Sequence, residues 1–198
     1  MIKKGFALGT AATLIVVLGY LGMSSGAKDS GTQGGIPAET VADYVHAVVE
    51  ADRTFYATQV VERMQAKGIV SASENWREVN RLPLPVQFLN ESNRLAGIAR
   101  AGISYRLISL WPINKHVGGP KTELEHRGLQ ETLQHPDRRY SEVVMIGGDP
   151  YVQALYTDRA VSQACIGCHN AHPDSPKRDF KLNDVMGGMI VTIPLKNR

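Results

Sequence analysis

The chain has 198 residues with 22 Lys and Arg against 19 Asp and Glu, 43% hydrophobic and 21% charged residues, and only two cysteines. These proportions describe a globular chain of about one domain and exclude a disordered, collagen-like or disulfide-scaffold protein. The net charge of +3 falls to +1 without Lys3 and Lys4, and the remaining basic residues are interleaved with acids along the chain, so no nucleic-acid partner is expected.

Residues 5–23, GFALGTAATLIVVLGYLGM, carry no charge and follow Lys3-Lys4, the pattern of an export signal. Ser25 and Ala27 suit a cleavage site, while a run of 19 residues is near the length of a membrane span, so residues 1–27 read equally as a signal peptide or an uncleaved N-terminal anchor. Either way the body of the protein is expected to be periplasmic or otherwise extracytoplasmic. No cysteine follows the apolar run to take a lipid. The Gly- and Ser-rich segment ending at Pro37 reads as a tether, so residues 28–37 form a flexible linker and 38–198 the folded domain.

Within that domain, Val41, Val45, Val48, Val49, Phe55, Val60, Val61 and Met64 recur at three- and four-residue spacing up to Gly68, which predicts one long amphipathic helix. Leu82-Pro83-Leu84-Pro85 forces an extended turn, and a second helix is predicted over Val86–Arg100. Ile103–Leu110 reads as a strand, Pro112–Pro120 as a loop and Thr122–Gln134 as a short helix. Glu142–Ile146 and Tyr151–Tyr156 flank Gly147-Gly148-Asp149-Pro150 as a hairpin, and Gly188–Leu195 is a last strand. Short hairpins without regular βαβ alternation predict an α+β fold on an antiparallel sheet, with no internal repeat.

Both cysteines fall in Cys165-Ile166-Gly167-Cys168-His169, the attachment pattern of a c-type haem. Two thiols one helical turn apart can bond both haem vinyl groups, and the adjacent imidazole can serve as proximal iron ligand. A thioredoxin-like pair would require a preceding βαβ unit, zinc could use Cys165, Cys168 and His172, and a plain disulfide is the third alternative. No Ser/His/Asp arrangement, carboxylate pair or phosphate-cradling glycine loop suggests an enzyme; Gly118-Gly119 and Gly187-Gly188 are too short and misplaced for the last.

The stretches ISLWPINKHVGGPKTELEHRGLQETL and YVQALYTDRAVSQACIGCHNAHPDSPKRDFKLNDVMGGMIVTIPL resemble the family of PAS-like c-haem domains. Members serve as periplasmic sensor parts of histidine kinases and chemotaxis receptors, and as stand-alone haem proteins. The resemblance runs from about Arg53 to Leu195 and implies a PAS-like antiparallel sheet flanked by helices. It further implies a long first helix lying over one covalently attached haem c, with His169 as proximal ligand. Unlike receptor members, the sequence shows no kinase, second membrane helix or signalling helix after the haem domain.

On the distal side Met64, sharing a helical face with Val60 and Tyr56, is the first candidate ligand, against the alternative that it merely fills core space. His46 and His116 follow it; His172 is held on the proximal side, and His126 and His135 read as surface residues. Arg53, with Arg106 and Lys177 behind it, is the candidate partner of the haem propionates, and Tyr56, Pro83, Pro85 and Phe88 resemble the family's pocket lining.

The expected function is an exported monohaem c-type cytochrome relaying single electrons to redox partner proteins. One alternative is a redox or diatomic-gas sensor acting through a signalling receptor. Another is an accessory haem subunit of a respiratory or photosynthetic membrane complex, docked through the N-terminal helix.

Overall fold

The computed structural model describes residues 35–99 and 102–195. The expected signal or anchor, and the linker up to Gly34, lie outside them. Among the described residues no helix is long and apolar enough to cross a membrane.

The chain opens with α1 (Ala38–Phe55), which runs without a break into a π-helical stretch (Tyr56–Glu62) and a final turn, α2 (Arg63–Ala66). The predicted single helix is therefore present, with its middle widened. The reason is visible in its inward positions: Val49, Arg53, Ala57 and Val61 are all buried. A four-residue spacing is longer than the 3.6-residue α period, and the wider π turn keeps such positions on one face. Gly68, with φ of +65°, follows the helix end.

Helix α3 (Pro85–Ile98) starts with proline at its first position, where the missing N–H costs nothing. The Gln87 side chain accepts a 2.9 Å hydrogen bond from Leu84 N–H and so closes the turn before it. Strand β1 (Ser104–Ile108) follows, and the predicted loop after it contains one helical turn, α4 (Lys115–Gly118). Next comes α5 (Glu123–Gln134), whose Thr122 hydroxyl caps Glu125 N–H at 3.2 Å.

Strands β2 (Tyr140–Ile146) and β3 (Asp149–Arg159) form the predicted hairpin, longer at both ends than the sequence pattern indicated. Ile146 pairs with Asp149, leaving Gly147 and Gly148 as a two-residue loop at φ of +60° and +87°, the positive pair that such a turn demands. After α6 (Gln163–Ala171), β4 (Val185–Pro194) enters between β1 and β3. The sheet order is β1-β4-β3-β2, antiparallel throughout, which establishes the expected α+β class.

Central placement explains why β4 is almost wholly buried and apolar. It also explains Gly187-Gly188: a Cβ at Gly187 would lie 2.2 Å from the Ile108 carbonyl oxygen, and one at Gly188 would lie 2.6 Å from Leu155 Cδ2. Helices α1 and α3 cover one face around Ala42, Val49, Leu89, Val152, Met189 and Val191. Helix α5 covers the other through Leu124 and Leu129 against Leu155 and Ile190. A third cluster, Ala160, Phe180 and Met186 with Trp111, Cys165 and Ile166, supports α6.

Candidate functional site

Helix α6 presents the attachment motif. Ser162 caps it, its hydroxyl lying 3.3 Å from Cys165 N–H and 3.2 Å from Cys165 Sγ. Cys165 is half-buried, Cys168 is exposed, and both thiols are free. Three residues apart on a continuous helix, they sit about one turn from each other on the same side. Partial desolvation against the cavity wall raises the Cys168 thiol above its ordinary value even though the residue is exposed, with Glu74 adding to the effect, so the thiol stays protonated at neutral pH.

His169 follows with its imidazole edge-on to Phe180, ring centroids 5.9 Å apart. Phe180 is fixed from behind: its N–H and carbonyl both bond the Asn170 side-chain amide, at 3.0 and 2.9 Å. Burial, with His172 as the lesser cause, depresses the His169 pKa, so the ring is neutral and able to donate a lone pair. Its Nδ1 is buried and has no protein partner.

The motif opens onto a cavity of about 990 Å³, the size of a cofactor site. Val61, Leu107, Ile108, Trp111, Ile113 and Val117 make much of its wall apolar, while Cys165, Cys168 and His169 supply the chemistry. Arg53 and Asp158 also reach the wall, as do Glu62 and Gln65 from the end of the first helix and Pro85 from the start of α3. Two free thiols, an unpartnered imidazole nitrogen and an apolar volume of this size together fit a covalently attached haem.

Several residues singled out in the sequence lie off this wall. Met64 is not among the lining residues: the π-helical stretch turns Val61, Glu62 and Gln65 to the cavity in its place. His46 is packed away from the wall, stacked on the Tyr156 ring at 4.0 Å, and His116 is an exposed residue of α4 whose neighbours Asn114 and Val117 face inward instead. Tyr56 and Phe88 stack on one another at 4.5 Å, and the Tyr56 hydroxyl donates to the Pro83 carbonyl at 2.8 Å. They join the first helix to α3 rather than line the cavity; burial pushes the Tyr56 phenol up to about 12. Among Tyr56, Pro83, Pro85 and Phe88, only Pro85 lies on the wall.

The candidate propionate partners are all engaged. Arg53 pairs with Glu50 and Asp158, Arg106 with Glu125 at 2.6 Å, and Lys177 with Asp179 at 2.5 Å. Lys177 also lies over the Trp111 ring, 5.5 Å from its centroid. His172 faces Glu74 at 3.6 Å, and among the described residues no three His, Cys, Asp or Glu side chains converge as a metal site. His126 and His135 are exposed.

Trp111, Met186 and Asp158 are wall residues that the sequence did not single out. Only Asp158 carried a signal: it continues the alternate positions Val152, Ala154 and Tyr156 of β3, the inward face of that strand.

The Tll0287-like family model matches residues 36–194. Among solved structures, the cyanobacterial haem protein Tll0287 superposes with a TM-score of 0.53 at 18% identity, covering 81% of this chain and 98% of its own. No curated protein sequence matches the chain.

Proposed function

Since the chain belongs to the Tll0287-like family of PAS-like c-type haem domains, we propose that it is an extracytoplasmic monohaem c-type protein that relays single electrons. The observation that carries this reading is the convergence of two free thiols and a neutral, unpartnered imidazole on one cofactor-sized, largely apolar cavity.

In this reading Cys165 and Cys168 bind the haem covalently as thioethers and His169 ligates its iron. A haem so held supplies a one-electron couple. The chain's own residues do the rest. Phe180 and the Asn170 clamp hold the His169 ring in place, and the apolar wall keeps water from the metal. Exposure of Cys168 leaves the attachment edge accessible to a redox partner. Arg53, already balanced by Glu50 and Asp158, would offer no free charge to the propionates. The export signal expected from residues 1–27 agrees with attachment outside the cytoplasmic membrane, and nothing in this reading requires catalysis.

A second reading, a redox or diatomic-ligand sensor passing its state to a receptor, draws support from one observation. Met64, His46 and His116 all lie off the wall, and among the described wall residues His169 and Met186 are the only imidazole and thioether. Met186 packs with Phe180 and Cys165, on the attachment side. A weakly held sixth position invites small ligands.

Absorption spectra of the ferric, ferrous and CO-treated ferrous protein, produced with haem c maturation proteins, test both. A covalent haem whose Soret band ignores CO supports the relay. A prompt CO shift transfers the reading to the sensor, and absence of covalent haem overturns both.

A further inference from the structure

A buried ion triad lies at the cavity wall. Arg53, 3% exposed, grips Glu50 through Nε and Nη2 at 3.0 and 2.9 Å. Its Nη2 also lies 2.5 Å from Asp158 Oδ1, an ion pair without hydrogen-bond alignment, so that Oδ1 is a buried oxygen lacking a donor. Asp158 follows Val152, Ala154 and Tyr156 at alternate positions of β3, which turns it to the face covered by the first helix, just before the β3–β4 register shifts between Asp158 and Arg159. Its side chain reaches the cavity wall. The Asp158 side chain remains 13% exposed.

One cation thus faces two carboxylates, a net charge of −1 beside the haem site. Other charged or titratable groups nearby do not cancel it. The Arg159 side chain is drawn to the Asn183 carbonyl and Asp137, His46 is held uncharged by burial, and Cys165 is the thiol on α6.

We propose that Asp158 is a redox-linked proton site, taking up one proton from solvent when the haem site gains one electron from a donor protein and releasing it when that electron leaves. The inference rests on the haem reading above. With haem held by Cys165, Cys168 and His169, the donor's electron would be taken up by ferric iron while an O–H bond forms on the Asp158 carboxylate with a proton from solvent, so the charge of the cavity would be unchanged over the step. The driving force would be electrostatic: reduction would remove one positive charge from the cavity whose wall Asp158 shares, where water screens its carboxylate poorly. Burial already pushes the Asp158 carboxyl up to about 6, Glu50 adding to the rise and Arg53 opposing it.

Mediated potentiometry of the haem-loaded protein at a series of pH values reads the coupling. The wild-type midpoint potential falls as pH rises, with a limiting slope of about 59 mV per tenfold change in proton concentration for one proton per electron. Asp158→Asn loses that slope, and Asp158→Glu keeps it. In the reduced-minus-oxidised infrared spectrum, a protonated-carboxyl band is present in the wild type, absent in Asp158→Asn and displaced in Asp158→Glu. A flat wild-type potential, or an unchanged slope in Asp158→Asn, overturns the proposal. Should Asp158→Asn fail to fold, an undisplaced band in Asp158→Glu overturns it. A protein without covalent haem contradicts the proposed function; a haem-loaded protein with a flat potential contradicts only this inference.

Discussion

Replacing Arg53 by methionine removes the one cation of the triad and leaves Glu50 and Asp158 facing each other in a nearly closed site. Breaking a buried pair by deleting one partner costs about 3–5 kcal/mol, because the remaining charge loses its compensation. The methionine fills much of the arginine stem's volume, so the packing loss is small and the electrostatic loss dominates. The pH dependence has a definite sign. Asp158 binds its proton more tightly in the folded protein, at about 6 against the ordinary 3.8, so its contribution is fully present below pH 3.8 and is lost as pH rises through 6. From that difference, the loss in the wild type is about 3 kcal/mol. Without Arg53 the folded value climbs further and the loss extends to higher pH. Urea unfolding of the haem-loaded protein, followed by far-ultraviolet dichroism, measures both effects. Arg53→Met is expected to be far less stable than the wild type at neutral pH and to regain part of the difference as the solution is acidified. A cost below about 1 kcal/mol, the level of a surface pair, or a cost that grows on acidification, would refute the reasoning.

Other substitutions probe the site and its support. Met64→Ala leaves ferric and ferrous spectra unchanged, because Met64 is off the cavity wall; a displaced Soret band would return it to the iron. Gly187→Ala forces a Cβ against the Ile108 carbonyl and lowers stability by about 1–3 kcal/mol or more, read as a lower unfolding midpoint, whereas an unchanged midpoint would mean that β1 and β4 part without cost. Thr122→Ala removes the cap of α5 and costs about 1 kcal/mol in the same assay, leaving the spectra untouched.

Much of the fold could be read from the residues because the elements report themselves locally. The three- and four-residue spacing of the first helix, Pro85 at the start of α3, Thr122 ahead of α5 and Gly147-Gly148 between two apolar strands each carry a physical cause that a sequence displays. The widening of the first helix was less legible. It follows from which residues are buried together, and it moved Met64 off the wall while bringing Val61 and Gln65 onto it. Tyr56 and Phe88 were expected in the pocket because large aromatic side chains next to a site can line it or buttress it, and spacing alone does not separate the two. The face that Asp158 occupies follows from strand alternation, but its pairing with Arg53 on a distant helix is a long-range property with no local signature. The cysteine motif can be read from five consecutive residues, and the structure places its two free thiols and its imidazole on one cavity wall.

The most direct test of the central claim is whether haem stays with the polypeptide after denaturation. The protein, produced with the haem c maturation machinery, is unfolded and extracted with acidified solvent, and its mass is then measured. The account predicts one haem per chain, retained after extraction and released when Cys165 and Cys168 are both replaced by serine. A chain of unmodified mass, or haem that extracts freely from the wild type, would contradict it.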